Sequence, residues 1–147
     1  MKKKLTSIIL LILFLPAIFI GCGKKLDYSE ISSYSDTVLS SVLTALSNND
    51  YATFASHLSD ELVESYDYAT FQKESALLIN TVGSFQSLEF DTGEKRNGLN
   101  FAIYNTKFSD SEENVRVSIV FKEDDLTHKV YELYLYSDKL SEANSNS

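Results

Sequence analysis

The sequence predicts an α+β domain in which N-terminal helices pack on one face of a four-stranded antiparallel sheet. Three observations carry this. Apolar residues recur at three- and four-residue steps as far as Gly83, they alternate with polar ones beyond it, and turn signals divide the alternating part into four runs. Helices first and strands afterwards is the order of α+β domains. The chain of 147 residues is long enough for one domain with a real core.

The elements follow from Met1 onward. Lys2-Lys3-Lys4 is a basic start, Ile8 to Ile20 is an apolar run of thirteen residues, and Gly21-Cys22 places a small residue before a cysteine. This is the layout of a secretory signal. A helix needs roughly 20 apolar residues to cross the hydrocarbon core. The run is shorter than that and contains Pro16, which disfavours a transmembrane span. Phe19-Ile20-Gly21-Cys22 resembles the lipobox of bacterial lipoproteins, with Phe19 standing where Leu is usual. The resemblance implies cleavage before Cys22 and lipidation of Cys22 with a diacylglyceryl group and often a third acyl chain. It also implies a membrane as partner, a domain held outside the cytoplasm and, with Gly23 in place of Asp, sorting to an outer membrane where the cell has one. Each buried methylene contributes about 0.8 kcal/mol, so one chain binds weakly and two or more hold firmly. Cys22 is the single cysteine, so no internal disulfide competes for it.

The expected division is a signal peptide at 1–21, the lipidated cysteine and a short polar tether at 22–26, one α+β domain at 27–137 and a frayed polar tail at 138–147. Within the domain, Ile31, Tyr34, Val38, Val42, Ala45 and Leu46 predict a helix from Asp27, ended by Asn48-Asn49-Asp50. Asp50 caps a short helix with Tyr51, Phe54 and Leu58, Ser59-Asp60 opens a further turn through Leu62 and Val63, and Asp67 caps a helix that Gly83 stops. Phe85 to Arg96 and the run from Leu99 flank Asn97-Gly98, a tight-hairpin signal. Val115, Val117, Ile119 and Phe121 alternate with polar residues as a half-buried strand, and the last strand, Val130 to Tyr136, places Tyr131, Leu133 and Leu135 on one face.

Ala45 to Phe54, followed by Leu58-Ser59-Asp60-Glu61-Leu62, resembles the opening of the domain of unknown function 3887 family. Phe71, Gly83 and the strand Val115 to Lys122 fit the same pattern across about residues 36 to 137. The resemblance implies a nuclear transport factor two-like, cystatin-like fold, in which a curved sheet wraps helices into a cone. It implies no activity.

Removing Lys2, Lys3 and Lys4 leaves ten basic residues against 21 acidic ones, a formal charge of −11 in place of −8. Such a surface repels phosphate backbones, so no nucleic-acid partner is expected. His57 and His128 stand 71 residues apart without ligand spacing and read as exposed, and no cofactor or metal is expected. Asp110, Glu112, Glu113 and Glu123, Asp124, Asp125 read as solvated hairpin ends, with a weak cation site as the alternative. Tyr131, Tyr134 and Tyr136, with Tyr104 on a neighbouring strand, read as cross-strand pairs, with ligand contact as the alternative. Gly93 to Gly98 reads as a turn and not a phosphate loop. No catalytic residue stands out. The expected function is that of a membrane-tethered, non-enzymatic binding or interaction domain. The alternatives are a small enzyme using the interior of the cone, or a structural or envelope-stress accessory protein.

Overall fold

Helix formation begins where side chains replace missing backbone partners. The computed structural model describes residues 23–146, so the signal segment and Cys22 lie outside the described residues. The helices are α1 (Tyr28–Ile31), α2 (Ser35–Ser47), α3 (Tyr51–Ser56), α4 (Asp60–Ser65), α5 (Tyr68–Val82) and α6 (Asp138–Ser145). Side chains of Asp50, Ser59, Asp67 and Ser137 accept from the backbone N–H three residues on, capping α3 to α6. Asp27 and Glu30 form a capping box at α1. Asn49, at φ 55, ends α2 as the Asp50 N–H turns back to the Ala45 carbonyl at 2.9 Å.

The strands are β1 (Lys24–Lys25), β2 (Phe85–Arg96), β3 (Leu99–Phe108), β4 (Val115–Lys122) and β5 (Val130–Tyr136), paired antiparallel in the order β1-β2-β3-β4-β5. The inner sheet face carries Ala102, Tyr104, Thr106 and Phe108 of β3 and Val115, Val117, Ile119 and Phe121 of β4, all buried. Leu39, Val42, Leu43 and Leu46 of α2 and Phe71, Leu78 and Val82 of α5 join them in one core. At about 1.5–3 kcal/mol for each fully buried aliphatic or aromatic side chain, this contact holds the layers together.

The α+β class and the helices-then-meander order stand, and four expectations change. The sheet has five strands instead of four, because the expected tether pairs with β2: Lys24 lies opposite Lys95 and Lys25 opposite Glu94. Leu26 draws it in. Its side chain is fully buried over Gly93, where a Cβ would stand 3.0 Å from Leu26 Cδ2, and its N–H donates to the Gly93 carbonyl at 3.1 Å. The helix expected from Asp27 divides into α1 and α2, since the backbone leaves helical geometry at Tyr34, at φ −132. The expected frayed tail is α6, capped by Ser137, with Leu140 packed on the core and Lys139 Nζ donating to the Asp110 carbonyl at 2.7 Å. In β5, Phe121 pairs with Val130 and Val120 with Glu132, so Tyr131 is the extra residue of a bulge. The bulge turns Val130 into the core beside Leu133 and Leu135 and removes Tyr131 from their face.

Two glycines sit at positive φ in different surroundings. At Gly83, φ 82, a Cβ would stand 2.1 Å from Ser109 Oγ and 2.9 Å from the Asp110 nitrogen, whereas at Gly98, φ 75, it would meet open space. Gly98→Ala is therefore expected to cost about 1–2 kcal/mol through backbone strain alone, and Gly83→Ala more than that. Urea denaturation of both variants measures the difference.

Candidate functional site

The helical cover stops short of the hairpin end of the sheet, and a cleft of about 370 Å³ opens there. Its floor is Asn100, at the β3 position that continues the inner face beyond Ala102, across from Lys95 on β2 and Phe121 on β4. Asn100 is only 7% exposed, and among the described residues its Oδ1 has no hydrogen-bond partner. Its side chain bonds the Tyr34 hydroxyl, a group whose pKa burial pushes up despite that bond.

Tyr34 and His128 form one wall. Their rings stack with centroids 3.8 Å apart and planes 3° apart, and Tyr34 meets the Phe121 ring edge-on at 5.0 Å. His128 reaches this position at φ 52, in the left-handed region, where the Asp125 carboxylate organises its loop. Asp125 Oδ1 accepts from the Thr127 N–H at 2.8 Å, Oδ2 accepts from the Lys129 N–H at 3.2 Å, and the His128 N–H reaches the Asp125 carbonyl at 3.1 Å. The Thr127 hydroxyl, which donates to Oδ1 at 2.5 Å, and the N–H groups of Thr127 and Lys129 favour the charged form and hold the Asp125 carboxyl below the usual carboxylate range.

The rim carries both signs of charge. Glu30 and Lys95 form an ion pair, which lowers the pKa of Glu30 and raises that of Lys95. Glu123 and Lys122 complete the rim, and the Lys122 ammonium sits 4.0 Å from the centroid of the Tyr131 ring. A mixed-charge rim over a buried amide acceptor suits a polar ligand with a hydrogen-bond donor.

Deeper in, the space is filled. Tyr104 is fully buried, and its hydroxyl lies 2.6 Å from Ser35 Oγ and donates to Asp36 Oδ1 at 2.8 Å, while the Tyr28 hydroxyl donates to the other oxygen of Asp36. Burial first, and the Asp36 carboxylate with it, push the Tyr104 hydroxyl pKa up. This network ties α1 and α2 to β3.

The expected sites separate. Tyr104 faces inward while Tyr134 and Tyr136, each 42% exposed, lie on the outer face, so the tyrosines form no common row. Instead Tyr28 stacks on Phe90, which meets Tyr104 edge-on. The histidines are half-buried and not exposed: His128 lines the cleft, and His57 Nε2 lies 2.8 Å from Ser41 Oγ. Among the described residues no group of three His, Cys, Asp or Glu side chains could hold a metal ion. Asp125 of the second acidic cluster is committed to its own loop, and the Asp110 carbonyl to Lys139. Gly93 to Arg96 belong to β2, which leaves Asn97-Gly98 alone as the turn. Two part-covered carboxylates that the sequence reading did not find are Glu94, 8% exposed, and half-buried Glu74, whose pKa burial raises beside Tyr66. Asn100 could have been suspected: it is the polar residue in register with Ala102, Tyr104 and Thr106.

His57 supplies a pH dependence. Burial, and then the Lys129 ammonium, depress its pKa below the ordinary 6.5, so between pH 6.5 and the folded value the unfolded chain binds more protons. Its stabilisation is thus present above pH 6.5 and lost as pH falls through the folded value. Thermal melts from pH 7.5 to 5 should show falling stability, and His57→Gln should flatten that slope. Asp50, Asp67 and Asp125, with folded values below the ordinary 3.8, lose theirs only at still lower pH. No family model, curated protein or solved structure matches the chain.

Proposed function

We propose that the chain is the precursor of a lipid-anchored, extracytoplasmic binding domain that takes a small polar ligand or a polar segment of a partner at the cleft floored by Asn100. The observation that carries binding is the Asn100 carbonyl oxygen, buried and, among the described residues, without a partner. Leaving a buried acceptor unsatisfied costs about 1–3 kcal/mol, which a ligand N–H or O–H bonded to it would offset. Support for the anchor comes from the basic, apolar and Gly-Cys segments of residues 1–22, and from β1, which begins at Lys24, two residues after Cys22. Among the described residues no helix is long and apolar enough to cross a membrane. The nuclear transport factor two-like, cone-shaped reading and the likeness to the domain of unknown function 3887 family belong to the same proposal. Helices that precede an antiparallel meander, and bulges that bend β2 and β5, support them.

Two measurements test the reading. In a Tyr34→Phe background, where the bond to the Tyr34 hydroxyl is already gone, Asn100→Leu removes the unpartnered acceptor in a side chain of the same branching. If the amide serves a ligand, the variant should be as stable as the parent or more so, by up to about 1 kcal/mol. A loss above 1 kcal/mol would make Asn100 a structural residue and end the binding argument. Cys22→Ala should move the protein out of the membrane fraction on cell fractionation. A variant that stays there at unchanged mass removes the lipid anchor.

A further inference from the structure

Glu94 is the least expected carboxylate in the fold. It projects from the outer face of β2, opposite Lys25 on β1 and Phe101 on β3, and is 8% exposed. Among the described residues its Oε2 has no hydrogen-bond partner. Oε1 lies against Gly23, close enough that a Cβ built there would stand 1.6 Å away. The carboxylate therefore occupies the space that any other residue after Cys22 would fill.

The charged groups nearby leave Oε2 unsatisfied. Lys25, directly across on β1, is exposed and forms no ion pair with it. Arg96, two residues along β2, has its guanidinium carbon 4.9 Å from the Phe101 ring centroid. Lys95 is spent on Glu30. Phe101 and Val120 continue the same cross-strand row, and its next charge, Glu132 of β5, is a carboxylate three strands away. A buried carboxylate in such surroundings is costly unless a cation reaches it.

In the precursor, residue 22 joins Gly23 through a neutral peptide on one side and residue 21 on the other. Cleavage before Cys22 creates an α-ammonium whose Cα is about 3.8 Å from that of Gly23. We propose that Glu94 is the receptor for the α-amino group of processed Cys22, so that removal of the signal supplies the carboxylate's missing partner. The inference rests on the lipid-anchor reading and deepens it. The mature chain then carries its lipid on the thiol and keeps its amine free, charged and fastened to the sheet edge beside β1. Gly23 is required because a side chain would displace the carboxylate.

The test uses the full lipoprotein purified from membranes. Intact mass gives the first residue and the number of acyl chains. Competitive labelling across a pH series, read by mass, then gives the α-amine pKa. The expected protein starts at Cys22 with a free amine whose pKa lies about one pH unit above the ordinary 7.7–8.0, and Glu94→Gln returns it to that range. Gly23→Ala, which keeps the carboxylate but pushes it aside, should do the same and decides the question if Glu94→Gln folds poorly. An amine that titrates alike in parent and variants, or one blocked by a third acyl chain, overturns the pairing while leaving the anchor intact. A protein that still carries residues 1–21 overturns the anchor reading, and the pairing falls with it.

Discussion

The inner face of β3 and β4 is the surface on which the rest of the molecule is assembled. Apolar alternation alone does not choose that face, because β3 carries Phe101 and Ile103 on its other side. A one-residue slip would exchange the two sets. Polar groups settle the choice. The Tyr104 hydroxyl finds Ser35 and Asp36 only inside, and Thr106 Oγ1 donates to the Val115 carbonyl at 2.7 Å from the same face. Within a close-packed interior these bonds specify register as well as adding stability. Ser75, whose hydroxyl donates to the Leu46 carbonyl at 2.5 Å, joins the two long helices in the same way.

The cleft is what remains where that cover ends. α2 and α5 roof the central part of the sheet, while the segment from Ile31 to Ser35 supplies only the Tyr34 ring at the hairpin end. Asn100 therefore lies deep enough to lose water and too far along β3 to meet a helix side chain other than through Tyr34. The neighbouring loop contributes His128 because the Asp125 carboxylate winds it tightly. A polar floor, a stacked ring wall and a charged rim thus arise from where the helices stop.

Much of the architecture was legible in local chemistry. Asp50, Ser59 and Asp67 announced three helix starts, Gly83 one helix end, and Asn97-Gly98 the central hairpin, because each of those features depends on a single residue's geometry. The misses share a cause: they depend on distant partners. β1 is drawn in by the burial of Leu26 on Gly93, some 67 positions away, and a two-residue strand leaves no periodicity to read. α6 is mostly polar, and its Ser137 cap and Leu140 contact become visible only against the core. The β5 bulge shifts Tyr131 without altering the alternating pattern that placed it. The cleft was illegible for the same reason, since Tyr34, Asn100 and His128 are brought together by the sheet and not by spacing.

The edges of the sheet bear on how the molecule keeps to itself. Beyond β5, the Ser59 N–H donates to the Val130 carbonyl at 2.8 Å and the Val130 N–H to the His57 carbonyl at 2.9 Å, which closes the start of that edge. On the opposite side, among the described residues, β1 and Leu26 cover Gly93 to Lys95, and the remainder of β2 presents its flank. There the irregularities between Phe85 and Ser87 and between Phe90 and Thr92 break the even row of donors and acceptors, and Glu89 places negative charge along it, while Asp91 is paired with Arg116 of β4. A second chain would find neither a straight template nor a neutral one, so strand-by-strand polymerisation is discouraged at the flank left most open.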